Sequence, residues 1–310
     1  MKKIGLLSVG AYLPEEKLTN ADLEKMVDTT DEWITTRTGI QERRIAKNML
    51  CSDLATRAAQ DCLTGSRTRP ELLISSTGTN EYRFPYQAST VANRLGLIGI
   101  PAFDLNAACS GLIYSMAVAK SMMMTGNITT ALLTASEKMS YFLDYQDRAS
   151  CILFGDGASA LLLSSDQPEH EILTIELGTD ATGSDCIIMG GPEQDFYFRQ
   201  AGKQVFKFAV QKMGELIDSL KKKVGLKAGE RFFILPHQAN KRMMESVARD
   251  KEIPLENFVI NIEKYGNTSS ASIGLALKEA WEKSLFQKGD YLFLIGFGGG
   301  LSWGAAAIRW

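Results

Sequence analysis

The chain has 310 residues, 45% of them hydrophobic and 23% charged, with a formal net charge of −2. That composition can fill a large core or two fused ones, and it lacks the basic face expected of a nucleic-acid-binding domain. No apolar stretch approaches the roughly 18 residues that span a bilayer, and the apolar run in Met1–Gly10 is too short for a signal peptide, so a soluble cytoplasmic protein without nucleic-acid or membrane partners is expected.

In chain order, the first strand signal is the apolar run Glu71–Ser75, followed by a helix near Ala88–Leu95 and a strand over Pro101–Leu105. A small-residue turn carrying Cys109 then opens a helix over Leu112–Met124. Buried strands are predicted at Thr129–Ala135 and Ala158–Leu163. Polar residues and Pro168 interrupt the pattern at Ser164–Glu169, and His170 reads as part of a polar surface linker. A helix over Val205–Val224, a strand over Arg231–Leu235 and a helix near Asn240–Asp250 follow. The chain closes with a strand at Phe258–Asn261, a turn at Gly266–Asn267, a helix over Ser272–Ser284 and a strand at Tyr291–Ile295. This alternation predicts an α/β protein. Landmarks recur about 160 residues apart, which suggests two pseudo-repeated halves, 1–165 and 166–310, with Cys109 and Asn267 at equivalent turns.

Five cysteines are present, none in a C-x-x-C pair, so neither a disulfide framework nor a metal site is expected. Cys51, Cys62, Cys151 and Cys186 read as buried small hydrophobes. Cys109 differs, because it lies between a strand and a helix N-terminus, where the dipole and free N–H groups lower a thiol pKa and can hold an oxyanion. His237 directly follows a strand, where ligand crevices of open α/β sheets form, although an isolated histidine can equally be structural. Asn267 reads either as a site residue or as a helix N-cap. The run Gly298–Gly300 reads either as a backbone surface for a ligand or as a turn.

The segments Ala107–Gly111, Pro236–Asn240, Tyr265–Ser269 and Phe297–Gly304, together with Asp31–Arg43 and Asp147–Ala158, resemble β-ketoacyl-acyl carrier protein synthase III from about Ile4 to Trp310. The resemblance implies a thiolase-like fold layered αβαβα, and an acyltransferase that starts fatty acid synthesis. It implies that Cys109 takes an acyl group from a short acyl-CoA. Malonyl-acyl carrier protein then loses CO2 and condenses with that group, aided by His237 and Asn267. The N–H groups of Cys109 and Gly299 would hold the oxyanion. Trp33, Arg37, Arg148, Gly202, Phe206 and Asn240 would bind CoA, with Trp33 and Arg148 sandwiching the adenine. Phe84 of a neighbouring protomer in a homodimer would cap the acyl pocket, and Arg242, Lys207 and Lys241 would dock the acidic carrier protein. Acyl-CoA is a substrate, and no cofactor is expected.

Some positions depart from that family pattern: the stretch Thr179–Arg199, Gln200 near the acyl pocket, and Arg83 and Tyr86 beside Phe84. A buried polar group needs a partner, so a small acyl group, or one with a polar end, is the expected donor. The alternative is a condensing enzyme or acyltransferase of secondary metabolism or cofactor synthesis on the same scaffold, acting on a different acyl-CoA. A degradative thiolase is disfavoured because no cysteine follows Cys186. A hydroxymethylglutaryl-CoA synthase would need a further carboxylate acid. A cysteine hydrolase would leave the glycine run without a use, and a non-catalytic acyl-binding protein would not need Cys109, His237 and Asn267 together.

Overall fold

The computed structural model describes residues 2–192 and 196–310. The chain starts with β1 (Gly5–Tyr12), β2 (Lys17–Thr19), α1 (Asn20–Leu23), α2 (Asp31–Thr38) and β3 (Glu42–Arg44), and β2 pairs with β3. It continues through α3 (Cys51–Leu63), β4 (Leu72–Ser76), α4 (Gln87–Arg94), β5 (Ala102–Leu105), α5 (Gly111–Met124), β6 (Thr130–Glu137), α6 (Arg148–Cys151) and β7 (Gly157–Ser164). Beyond a turn come β8 (His170–Thr179), the short pair β9 (Ile187–Ile188) and β10 (Arg199–Gln200), α7 (Gly202–Val224) and β11 (Phe232–Pro236). The last elements are α8 (Lys241–Asp250), α9 (Ile262–Tyr265), α10 (Ser272–Glu282), β12 (Tyr291–Gly298) and β13 (Ser302–Arg309).

Nine strands are hydrogen-bonded in the order β11-β12-β13-β8-β1-β7-β6-β4-β5. The two halves of this sheet meet where Gly5 and Leu6 pair with Glu171 and His170. Each half repeats one pattern. In the first, β4 runs parallel to β5 and β6, and β7 and β1 are antiparallel. In the second, β11 runs parallel to β12, and β13 and β8 are antiparallel. The predicted strand at Phe258–Asn261 is only an isolated parallel bridge from Phe258 to Ile234, in the place that β5 holds in the first half.

The continuous apolar runs are explained by burial of both faces. Along β7, Leu161 and Leu163 enter one core while Leu162 enters another; along β12, Leu292 and Leu294 are separated in the same way from Phe293 and Ile295. α5 and α10 lie in the shared central core, α3 and α4 cover the first half outside, and α7 and α8 cover the second. This gives the expected αβαβα layering. His170 is not in a linker. It opens β8, and its ring stacks on Trp310 at 3.7 Å and 15°. The polar residues around it in sequence conceal this partner from the far end of the chain.

Candidate active site

Both halves build the same turn at the start of a central helix, after β5 in the first half and after α9 in the second. In the first, Asn106 Oδ1 accepts from the Ala108 N–H at 3.0 Å, Ala108 takes a left-handed φ of 48°, and a 3₁₀ turn over Ala108–Ser110 feeds α5. In the second, Asn267 Oδ1 accepts from the Ser269 N–H at 2.8 Å, Ser269 also has φ of 48°, and a 3₁₀ turn over Ser269–Ala271 feeds α10. The repeat therefore matches Asn267 with Asn106, and Cys109 with Ser270. Asn267 is not the N-cap of α10, a position held by Ala271; its side-chain oxygen is committed to the preceding turn, which leaves the amide Nδ2 as its free donor end.

Cys109 sits in the middle of the first turn, with Sγ 3.3 Å from Ser269 Oγ. The residue is partly exposed to the cavity, but its sulfur is enclosed, and burial pushes the thiol up to about 12. The Ser269 hydrogen bond works in the opposite direction. Desolvation of the buried anion is the largest influence on this thiol, and the charge of Glu137 adds to it.

His237 follows β11, is 2% exposed, and shares a hydrogen bond of 2.8 Å between its Nδ1 and Ser272 Oγ. Burial lowers its pKa from 6.5 to about 3, so the imidazole is neutral at physiological pH. Phe297 meets the ring edge-on at 5.3 Å. Asn267 is held in place by backbone hydrogen bonds, its N–H to Leu153 O at 2.9 Å and its carbonyl from Gly155 N at 3.0 Å.

Cys109, His237, Asn267 and Gly299 line one cavity of about 540 Å³. It runs outward past Phe206, Gly202, Asn240, Arg37 and Trp33. Asn240 caps α8 and donates Nδ2 to Arg37 O at 3.1 Å, which ties two of the residues expected at CoA together. Gln200 also lines the cavity. Arg148 does not: it lies over the Trp33 ring at 4.9 Å and donates to Asp28 O at 2.9 Å. A sandwiched base needs about 7 Å, two van der Waals contacts, so Trp33 and Arg148 are closed on each other here. Phe84 is 87% exposed and outside the cavity of its own chain. Arg242 and Lys207 are exposed near the mouth, whereas Lys241 is half-buried with its stem against Gly39. Cys51, Cys62 and Cys151 are buried as expected, but Cys186 is half-exposed, its thiol 3.4 Å from Gln204 Oε1.

Several site residues had no individual role assigned from the sequence, although Gly298, Ser302 and Ser269 lie in segments singled out there. Gly298 abuts Cys109 directly. Ser302 Oγ lies 2.8 Å from both Gly299 O and Ser110 Oγ, which fastens the glycine loop to the nucleophile turn. Ser269, Ser272 and Glu137 complete the setting of Cys109 and His237. Small polar residues in turns, and a glutamate ending an apolar strand, gain meaning only from long-range contacts.

Comparison with known proteins gives a consistent picture. A family model described as 3-oxoacyl-[acyl-carrier-protein] synthase III matches residues 103–181, and its C-terminal counterpart matches residues 220–310. The chain is 41% identical over 308 residues to the β-ketoacyl-[acyl-carrier-protein] synthase III of Aquifex aeolicus, covering 98% of this chain and 99% of the relative. Among solved structures, the 3-oxoacyl-(acyl carrier protein) synthase III of Pseudomonas aeruginosa superposes with a TM-score of 0.95 at 38% identity, over 99% of this chain and 98% of that one. The priming β-ketosynthase of the R1128 polyketide pathway superposes with a TM-score of 0.91 at 32% identity, over 99% and 96%.

Proposed function

The chain belongs to the β-ketoacyl-[acyl-carrier-protein] synthase III family, the acyltransferases that initiate fatty acid synthesis, and we propose that Cys109, His237 and Asn267 carry out its two half-reactions. The convergence of these three side chains and the Gly299 backbone on one cavity supports this reading. Cys109 Sγ attacks the acyl-CoA thioester carbonyl. The oxyanion rests against the N–H groups of Cys109 and Gly299, and CoA leaves as the thiol. Fixed donors of this kind are each worth about 3 kcal/mol of barrier.

Malonyl-acyl carrier protein then enters the same cavity. Its C–CO2 bond breaks, and the electron pair moves into the thioester as an enolate. Asn267 Nδ2 donates to the enolate oxygen. The step requires the tautomer in which His237 Nδ1 accepts from Ser272 Oγ, 2.8 Å away, and Nε2 carries the second N–H donor. A neutral imidazole suits this step, which needs two hydrogen-bond donors and no proton transfer to carbon. The carbanion attacks the acyl-Cys109 carbonyl, and collapse releases β-ketoacyl-carrier protein and the Cys109 sulfur.

Exposed Phe84, with its exposed neighbours Tyr82 and Tyr86, supports a homodimer in which this loop reaches a partner's acyl pocket. Arg242 and Lys207 supply a basic rim for an acidic carrier protein, with Lys241 contributing less because it is half-buried. CoA would lie along Gly202, Phe206, Asn240 and Arg37, and its adenine requires Arg148 to swing off Trp33. We assign the protein to the cytoplasm and its two halves to 1–165 and 166–310. No helix among the described residues is long and apolar enough to cross a membrane.

Gln200 on the cavity wall supports a short acyl donor, or one with a polar end. Condensation with malonyl-acyl carrier protein, assayed across acetyl-, branched and carboxyacyl-CoA starters, tests this. A clear preference for long straight chains would overturn it. The likeness to the R1128 priming enzyme favours the second reading, a starter enzyme of a specialised pathway, which the same panel separates by its preferred acyl-CoA.

A further inference from the structure

Glu137 ends β6 beneath the active site, is 1% exposed, and has no role in the two half-reactions above. Its Oε1 accepts from Ser270 Oγ at 2.6 Å and from Ser269 Oγ at 3.2 Å. Its Oε2 accepts from Thr79 Oγ1 at 2.8 Å and from the Gly78 N–H at 3.1 Å. Ser269 Oγ is also 3.3 Å from Cys109 Sγ. A serine hydroxyl has one hydrogen. When Ser269 gives it to Glu137, it can only accept from the Cys109 thiol. The bonds therefore run in one direction, from Cys109 S–H through Ser269 O–H to the Glu137 carboxylate.

We propose that Ser269 and Glu137 form a proton relay that takes up the Cys109 thiol proton as the acyl group arrives. The Sγ–H bond breaks and its hydrogen passes to Ser269 Oγ, while the hydrogen of Ser269 passes to Glu137 Oε1. The freed sulfur electron pair forms the C–S bond to the acyl carbonyl. As the tetrahedral species collapses, the CoA sulfur leaves with the old C–S pair and takes a hydrogen from Ser269, which Glu137 replaces. The thiol proton thus ends on CoA, and the cluster returns to its starting state.

Charge conservation favours this path over simple ionisation. Forming a thiolate beside an ionised Glu137 puts two negative charges in a buried space, and each disfavours the other. Passing the proton along the relay leaves the total at one negative charge throughout. Burial raises the affinity of Glu137 for a proton, while the hydrogen bonds from Ser270, Thr79, Gly78 and Ser269 act the other way and favour the ionised form from which the relay starts. The titratable groups that register its charge are Cys109 and Cys51. The adjacent Lys138 points its Nζ to Met49 O at 2.8 Å instead. Ser269 touches the reacting sulfur and is a catalytic residue in this scheme; Glu137 acts through it as a positioning and proton-holding residue.

The proposal rests on the acyl-transfer reading for what the sulfur does next, so its test uses a probe that needs no acyl-CoA. Alkylation of Cys109 by iodoacetamide is followed across pH by peptide-resolved mass, which separates it from half-exposed Cys186. Two groups that share one proton titrate as a pair. The wild-type rate is expected to hold a plateau around neutral pH and then to rise again in alkali. Glu137→Gln should lose the plateau, climb steadily with pH, and react roughly tenfold or more slowly at pH 7. Ser269→Ala should lower the plateau about as much, whereas Ser270→Ala, which keeps the chain of bonds, should retain it. Faster alkylation of Glu137→Gln at pH 7 would mean that the carboxylate only repels the thiolate, and would overturn the relay. So would a plateau lost equally in Ser270→Ala, or one unchanged in Ser269→Ala. A normal plateau in a protein that acetyl-CoA fails to acylate would contradict the acyl-donor reading and leave the relay standing.

Discussion

Gly298 is pressed against Cys109: a Cβ added at Gly298 would lie 2.9 Å from the Cys109 nitrogen, 3.0 Å from its Cβ and 3.2 Å from its Sγ. The second half of the chain thereby fixes where the nucleophile of the first half stands. Gly298→Ala must push Cys109 off its turn and away from the Gly299 N–H. Overpacking of this kind costs about 1–3 kcal/mol of stability, while misplacing a reacting atom by about 1 Å costs on the order of 10²-fold in rate. A folded variant with a modestly lowered Tm and a collapsed rate of acylation by acetyl-CoA is expected. Calorimetry and single-turnover mass spectrometry check the two effects separately.

His237 and Asn267 should act on the second half-reaction. His237→Ala and Asn267→Ala are each expected to accept an acetyl group on Cys109 at near wild-type rate. Both should lose malonyl-acyl carrier protein decarboxylation by about 10²-fold or more, the usual scale for one removed donor. Release of CO2 from malonyl carrier protein, measured apart from acylation, gives the readout. An equal loss in both half-reactions would place the two residues elsewhere in the cycle.

The neutral His237 has a pH consequence. Its pKa is lowered from 6.5 to about 3 in the folded protein, so the decarboxylation rate should show no inflection near 6.5. Folding should respond in that range. Above about 6.5 the histidine is neutral in both states, and its contribution to stability is fully present. As pH falls below that value, the unfolded chain binds a proton that the folded protein refuses until about 3, so stability declines. Denaturant unfolding at pH 7 and pH 4.5 should show this decline, and it should be smaller in His237→Gln.

The contact of Arg148 with Trp33 should govern CoA and leave the chemistry alone. Arg148→Ala removes the cation that would cover an adenine, and is expected to raise KM for acetyl-CoA several-fold with little change in kcat. An acetyl-pantetheine thioester, which has no adenine, should be used equally well by both proteins. A matching loss with the truncated donor would assign Arg148 to the structure of α6, which it opens.

The legible parts of this molecule were those written in local pattern. Leu161–Leu163 and Leu292–Ile295 read as strands because both faces of each are buried, and the Cys109 turn was visible from its small residues between strand and helix. The missing parts depend on contacts distant in sequence. Ser269 reaches Cys109 and Glu137, His170 stacks on Trp310, and Gly298 seats Cys109. The local rule for a thiol at a helix N-terminus says nothing of burial, which is set by the fold as a whole and raises the Cys109 pKa. The repeat was visible, yet its register needed the matching bonds of Asn106 and Asn267.

The central claim is that Cys109 carries an acyl group between two substrates. Intact-protein mass after incubation with acetyl-CoA tests it most directly. A single acetyl group should appear on the protein, map to Cys109, be absent from Cys109→Ser, and disappear on addition of malonyl-acyl carrier protein as β-ketobutyryl-carrier protein forms. An unmodified protein, an adduct that persists in Cys109→Ser, or an acetyl group that malonyl-acyl carrier protein leaves in place would contradict it.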